Sequence, residues 1–359
     1  MKEFIYSLSG MVMLATLFAG FVNLWQFGER VRMGREAVAS ERRQLVPWGL
    51  VDFLAVIFLM AAGGVFLGIC LTWAFPELKQ AAAGSAQIPI DAMTGLTVAD
   101  SLLKVAVFLA AVALISWRVA ATPHDWGWSD TKWWPDFWLG CKAASVLIPV
   151  VLILQYSMIS LTGWESKHPL IESLRQAPMT KMYIVSFIAA VVVAPIVEEW
   201  AFRVLLQGWL EKVATRQFSW EQLLLGNSST EQAIASTIDS NEKSFRSTAE
   251  GPTVISNVPQ QETAHTEAMT SYDPGEPTRQ QRLLGESGRP FWPIVVSAAL
   301  FAGVHISHGP DFVPLFFFSL GLGYLYRQTH RIVPSMTVHL LLNLFSMLNL
   351  GVYLWLGEG

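Results

Sequence analysis

The sequence predicts an all-α fold: a polytopic membrane helix bundle with about eight transmembrane helices. Three observations carry this. Hydrophobic residues make up 52% of the chain and charged residues only 14%, where an ordinary soluble protein carries about 25% charged residues. The apolar residues fall in long charge-free runs rather than amphipathic stripes. The basic residues collect in some of the loops between those runs and not in others.

Seven stretches lack Asp, Glu, Lys and Arg: Phe4–Gly28, Phe53–Pro76, Ala143–Trp164, Met182–Val197, Pro290–Pro310, Phe312–Tyr326 and Ile332–Gly357. Roughly 20 apolar residues cross a bilayer, so most of these are long enough. A shorter run, Val105–Trp117, lies between Lys104 and Arg118. Both side chains can snorkel to the interfaces, and that run completes the eight. The first run is too long for a signal-peptide core and is expected to be retained. Cys70 and Cys141 both fall in predicted spans and are expected to pack as small apolar residues.

The loop Glu29–Pro47 holds Arg30, Arg32, Arg35, Arg42 and Arg43, whereas Glu77–Asp100 holds Lys79 as its one basic residue before Lys104. The positive-inside rule puts the first loop in the cytoplasm and, with eight spans, both termini outside. The loop Arg327–Arg331 and the long segment after the fifth span then fall inside. Trp126, Trp128, Trp133, Trp134 and Trp138 are expected to form an interfacial aromatic belt.

Residues 214–289 are rich in Ser, Thr, Gln, Glu and Pro and cannot bury enough surface to offset their ordering entropy. They read as a largely disordered cytoplasmic insertion, with a short helix at Trp220–Leu225. The expected organisation is therefore an N-terminal four-span region (1–181), a membrane core (182–213 and 290–357) and the insertion (214–289). No repeat, phosphate-binding glycine loop or basic nucleic-acid surface is present in the sequence.

Ionisable residues inside spans are costly and mark function. Glu198 and Glu199 follow the 16-residue run Met182–Val197. Adjacent helical residues point about 100° apart, so the two carboxylates serve different targets. Glu199 and Arg203 stand at i and i+4, acid first, the favourable order for an ion pair. Glu198 is left to face something else; the plainer alternative is an interfacial helix end with ordinary charges. Phe301 and His305 share a helix face in a second apolar run. His339 and Asn343 share a face in a third, where they serve either as an interhelical hydrogen-bonding pair or as two groups aimed at one polar cavity. Such groups are expensive unless they meet. A carboxylate beside an imidazole can activate water, and an imidazole with an amide can stabilise an oxyanion.

These motifs resemble the CPBP family, the CAAX-protease and bacteriocin-processing proteins that include the CAAX prenyl endopeptidases. The family pattern EExxxR, FxxxH, HxxxN is matched in order by Glu198-Glu199-Trp200-Ala201-Phe202-Arg203, by Phe301 to His305 and by His339 to Asn343. The resemblance covers about Tyr183–Leu350 apart from the insertion, which is longer than the family pattern usually allows. It implies an intramembrane endopeptidase acting on a peptide or protein near the membrane surface. Glu198 would be the general base and His305 would position the water. His339 and Asn343 would stabilise the oxyanion, and Glu199, Arg203 and Phe301 would support them.

Glu198, His305 and His339 also resemble a three-ligand catalytic zinc set. The sequence lacks HExxH, and the expected mechanism uses no metal. A non-catalytic scaffold or bacteriocin-immunity-type protein is the alternative, as is a transporter or proton relay. The expected partners are a peptide substrate and the lipid bilayer, with no nucleic acid; the oligomeric state is left open. The expected location is a bacterial cytoplasmic membrane. His339 lies about 10 Å from the inner end of its span and His305 about 21–24 Å from that of its own, at 1.5 Å per residue. Tilted or broken helices around a cytoplasmic cavity would reconcile the two depths.

Overall fold

A computed structural model describes residues 2–41, 45–75, 90–129, 131–163, 174, 180–227 and 290–356. Residues 1–226 and 290–359 form one compact unit. Most of the insertion, including His265, lies outside the described residues, as do Arg42, Arg43 and Lys79.

The described residues are helical wherever they are regular. The helices are α1 (Lys2–Arg32), α2 (Leu50–Ala74), α3 (Ile90–Val119), α4 (Trp133–Thr162), α5 (Lys181–Ala214), α6 (Trp220–Leu225), α7 (Trp292–Gly303), α8 (Phe312–Thr329) and α9 (Ile332–Leu356). Five of them, α2, α3, α4, α5 and the main part of α9, are long and apolar enough to cross a membrane. α1, α7 and α8 take the remaining places in the predicted order. Large side chains such as Trp73, Trp117 and Leu161 point outward from the spans. That is the surface expected where lipid, not water, is the solvent.

Local chemistry sets the helix ends. Asp52 accepts from the Gly49 N–H at the start of α2 and also pairs with Arg118 from the end of α3. α4 stops at Gly163, which takes the left-handed conformation (φ 63°) that a glycine adopts without a steric cost. Ser219 and Gln222 cap α6 reciprocally, and this is the short helix expected at Trp220–Leu225.

The helices meet through small residues. A Cβ on Gly140 of α4 would lie 2.6 Å from Thr337 Cβ and 2.8 Å from the Pro334 carbonyl oxygen, so α9 touches the α4 backbone there. Close backbone approach of this kind drives helix association where no hydrophobic effect separates protein from solvent.

One end of the bundle is laced by charges. Arg331, just before α9, donates to Asp136 Oδ2 (2.5 Å) and Oδ1 (2.8 Å) of α4, and also pairs with Glu41 in the first loop. Lys132 donates to the same Glu41 at 2.9 Å, and Ile332 N–H to the Gly127 carbonyl at 3.0 Å. The first loop, the α3–α4 loop and the α8–α9 turn thus lie at one end, as the loop arithmetic required. Trp126 departs from the predicted belt. It stacks on the fully buried Trp48 at 4.5 Å between ring centroids and packs in the core beside Trp200. Trp128, Trp133, Trp134 and Trp138 are exposed, as a belt requires.

Candidate active site

The site forms on α5, whose helical path is irregular. Ala189–Val193 and Trp200–Gln207 are π-helical, flanking the short α-helical stretch Ala194–Glu199. π turns are rare and gather at functional sites. The first has a visible cause. Ala194 N–H reaches back to the Ala189 carbonyl, and Pro195 has no N–H to offer. The Ala190 carbonyl is therefore missed by both, and Asn343 Nδ2 of α9 donates to it at 2.8 Å. A helix defect on α5 is repaired by a side chain from α9, which locks the two helices in register.

The two glutamates separate as the sequence required. Glu199 is fully buried, and its Oε2 accepts from Arg203 Nε at 3.1 Å. Its Oε1 accepts from His339 Nδ1 at 3.0 Å. Glu198 keeps 29% of its side chain exposed, and its Oε2 lies 3.8 Å from His339 Nε2. One carboxylate is thus sealed in a pairing role, and its neighbour stays accessible beside the same imidazole.

Arg203 is also fully buried. Its terminal nitrogens donate to Ser297 Oγ of α7 at 3.2 Å and Ser319 Oγ of α8 at 2.7 Å. Ser297 in turn donates to the Phe202 carbonyl at 2.9 Å. Phe301 forms the centre of the aromatic packing. The Arg203 guanidinium carbon lies 5.4 Å from its ring centroid, His305 4.9 Å and His339 5.8 Å. Phe318 closes the other side of His339 at 5.6 Å. His305 follows the end of α7, and its Nδ1 donates to the Phe301 carbonyl at 2.8 Å. A carbonyl only accepts, so Nδ1 carries a proton in this hydrogen bond.

This geometry answers the question of depth. Phe301 lies about 14 Å along α7 and His339 about 10 Å along α9, at 1.5 Å per residue. The gap of a few ångströms is within the reach of the two side chains. α7 ends at Gly303 and a 3₁₀ turn follows at Ile306–His308, so His305 belongs to a helix end and not to a straight span.

All seven residues singled out from the sequence lie in this region. Glu198, Glu199, Arg203, Phe301 and His339 form one connected set; His305 joins it through Phe301, and Asn343 through α5. Ser297, Ser319 and Phe318 are additions. Their sequence signal was faint: two hydroxyls and one more aromatic in apolar runs. Among the described residues, no three His, Cys, Asp or Glu side chains are grouped as a metal ion would require.

Residues 268–345 match the family model of Type II CAAX prenyl endopeptidase Rce1-like. The chain carries a CAAX-protease-type domain. The matched segment is similar to CAAX-type endopeptidases, and the chain also carries helices long and apolar enough to cross a membrane. The matched segment contains Phe301, His305, His339 and Asn343. Glu198, Glu199 and Arg203 precede it in sequence and meet it in space through Arg203–Ser297 and Glu199–His339. No curated protein and no solved structure matches the chain.

Proposed function

We propose that the protein hydrolyses a peptide bond near the membrane surface with a water activated by Glu198 and His305. The observation that supports this most is the division of labour between adjacent carboxylates: Glu199 is sealed by Arg203 and His339, and Glu198 remains open beside them. A water held between the Glu198 carboxylate and the acceptor Nε2 of His305 has both hydrogens committed and turns a lone pair towards the substrate carbonyl. Glu198 takes one proton as the water oxygen bonds to the carbonyl carbon. It returns that proton to the departing amine nitrogen as the carbon–nitrogen bond breaks.

The developing oxyanion is met by His339 and Asn343. His339 spends Nδ1 on Glu199, and its Nε2 lies 3.8 Å from Glu198 Oε2 on the open side of the site. Asn343 spends one amide hydrogen on Ala190 and has a second. No metal takes part in this scheme. The end of the bundle where α5 finishes and α7 begins is placed in the cytoplasm, because Arg30, Arg32 and Arg331 lie towards it. A bacterial cytoplasmic membrane is the proposed location.

The test uses an internally quenched peptide with a C-terminal Cys-aliphatic-aliphatic-X sequence, farnesylated in one arm and unmodified in the other. The detergent-purified protein is expected to cleave at least one arm. His305→Ala is expected to slow that cleavage about 100-fold, the lower end of general acid–base contributions. Cleavage by His305→Ala at the wild-type rate would remove His305 from the mechanism. A difference between the arms would decide whether the prenyl group is recognised.

A further inference from the structure

We infer that Ser297 and Ser319 are positioning residues of this site: by holding both terminal nitrogens of Arg203 they fix Glu199, and through Glu199 they aim His339. The inference rests on the reading of Glu198 and His339 given above.

Glu199 and Arg203 ride on the same helix, so their ion pair alone cannot set where either group stands relative to α7, α8 or α9. A buried pair free to turn with α5 would carry the Glu199 carboxylate away from His339. The serines remove that freedom. Ser297 comes from α7 and Ser319 from α8, and both are fully buried. Each Oγ accepts from a different Arg203 nitrogen, at 3.2 and 2.7 Å. A guanidinium is a rigid planar fork, so three bonds in three directions fix it in position and orientation.

The same helices also carry the reacting groups. Ser297 and Phe301 stand four residues apart on α7, so one face of that helix binds Arg203 and packs His339, and His305 follows just past its end. Ser319 directly follows Phe318, whose ring edges His339. Burying a hydroxyl in an apolar span is unfavourable unless it is hydrogen-bonded, and here two hydroxyls from two helices bond one guanidinium. The hydrogen-bonded path runs Ser297 or Ser319 to Arg203, to Glu199 and to His339, ending 3.8 Å from the Glu198 carboxylate.

The experiment compares Ser297→Ala, Ser319→Ala and Ser319→Thr with wild type, in the full chain in detergent. Ser145→Ala, whose partly buried hydroxyl accepts from Asn23 of α1, is the control for losing a hydrogen-bonded hydroxyl away from the site. Two quantities are read. Cleavage of the quenched peptides gives kcat and KM per folded molecule. Deuterium uptake at the imidazole C2 of His339, followed by mass spectrometry at one fixed pH, reports on that ring without any turnover. For each alanine variant the inference predicts kcat about tenfold lower, KM within about twofold, and His339 uptake changed about twofold or more. Ser319→Thr, which keeps the hydroxyl, recovers most of kcat, and Ser145→Ala moves neither readout.

If the alanine variants only lower the melting temperature, with kcat per folded molecule and His339 uptake at wild-type values, the serines are structural and the inference is overturned. Unchanged uptake overturns it even if no probe is cut. Glu198→Gln in the same series separates the two failures. If it retains cleavage, the catalytic reading falls. If it abolishes cleavage while the serine variants behave as wild type, the serine inference falls alone.

Discussion

Glu199 and His339 are 140 residues apart in the chain, yet Oε1 of one accepts from Nδ1 of the other at 3.0 Å. The glutamate's second oxygen holds Arg203 at 3.1 Å. One buried carboxylate therefore joins the helix that carries the open Glu198 to the helix that carries His339.

Removing that charge strands its partners. Glu199→Gln leaves a buried guanidinium without its counter-charge, a defect that costs about 3–5 kcal/mol in buried pairs. The expected outcome is a sharp fall in folded yield and melting temperature in detergent, with little cleavage by the folded fraction. Glu199→Gln at wild-type stability would contradict the pairing role.

Asn343 and Pro195 are expected to be coupled. Asn343→Leu leaves the Ala190 carbonyl without its donor, at a cost of about 1–3 kcal/mol. Pro195→Ala supplies a backbone N–H in that turn, so the double variant is expected to be more stable than Asn343→Leu alone. Thermal melts of the four proteins give the coupling, and strict additivity would deny it. If the Asn343 amide also serves the oxyanion, the double variant regains stability without regaining activity.

Gly140 sets the distance between α4 and α9. A methyl group there meets Thr337 Cβ at 2.6 Å, two residues before His339. Gly140→Ala is expected to cost about 1–3 kcal/mol, as overpacking does, and to lower kcat by displacing α9. Wild-type kcat with an unchanged melting temperature would show that α9 tolerates the shift.

The charged end of the bundle gives a pH dependence. Burial pushes the Glu41 carboxyl up, but Arg331 and Lys132 more than offset this and hold it below its ordinary value of 4.5. A carboxyl depressed in the folded state contributes stability that is full above its unfolded value and is lost as pH falls through the folded one. The melting temperature of wild type should therefore exceed that of Glu41→Gln near neutral pH, and the two should converge as pH drops below about 4.5. A gap that persists in acid would show that the ion pair is not what pins the first loop.

The sequence disclosed the parts of this site whose cost is visible in one dimension. Glu198, His305 and His339 stand out because ionisable groups in apolar runs are rare. The Glu199–Arg203 pair followed from spacing alone. The helix order followed from charge-free runs and loop arginines. What stayed hidden depends on three-dimensional convergence. Trp126 looked like another belt tryptophan until it stacked on Trp48 from the first loop. Ser297 and Ser319 are unremarkable in membrane helices, and only their meeting at Arg203 distinguishes them. The π turns of α5 have one local cue, Pro195, and that cue does not reveal that an asparagine from α9 would fill the gap. Asn343 was expected at the oxyanion, yet one of its hydrogens is committed to Ala190.

The most direct test of the account is cleavage of the quenched peptides by wild type and by Glu198→Gln, each with and without chelator. The account predicts that wild type cuts equally well in chelator. It also predicts that Glu198→Gln, whose side chain is partly exposed and outside the buried ion pair, folds normally but loses at least about 100-fold in kcat. Cleavage by Glu198→Gln at the wild-type rate, or cleavage by wild type that stops in chelator and returns with zinc, would contradict the central claim that Glu198 activates water without a metal.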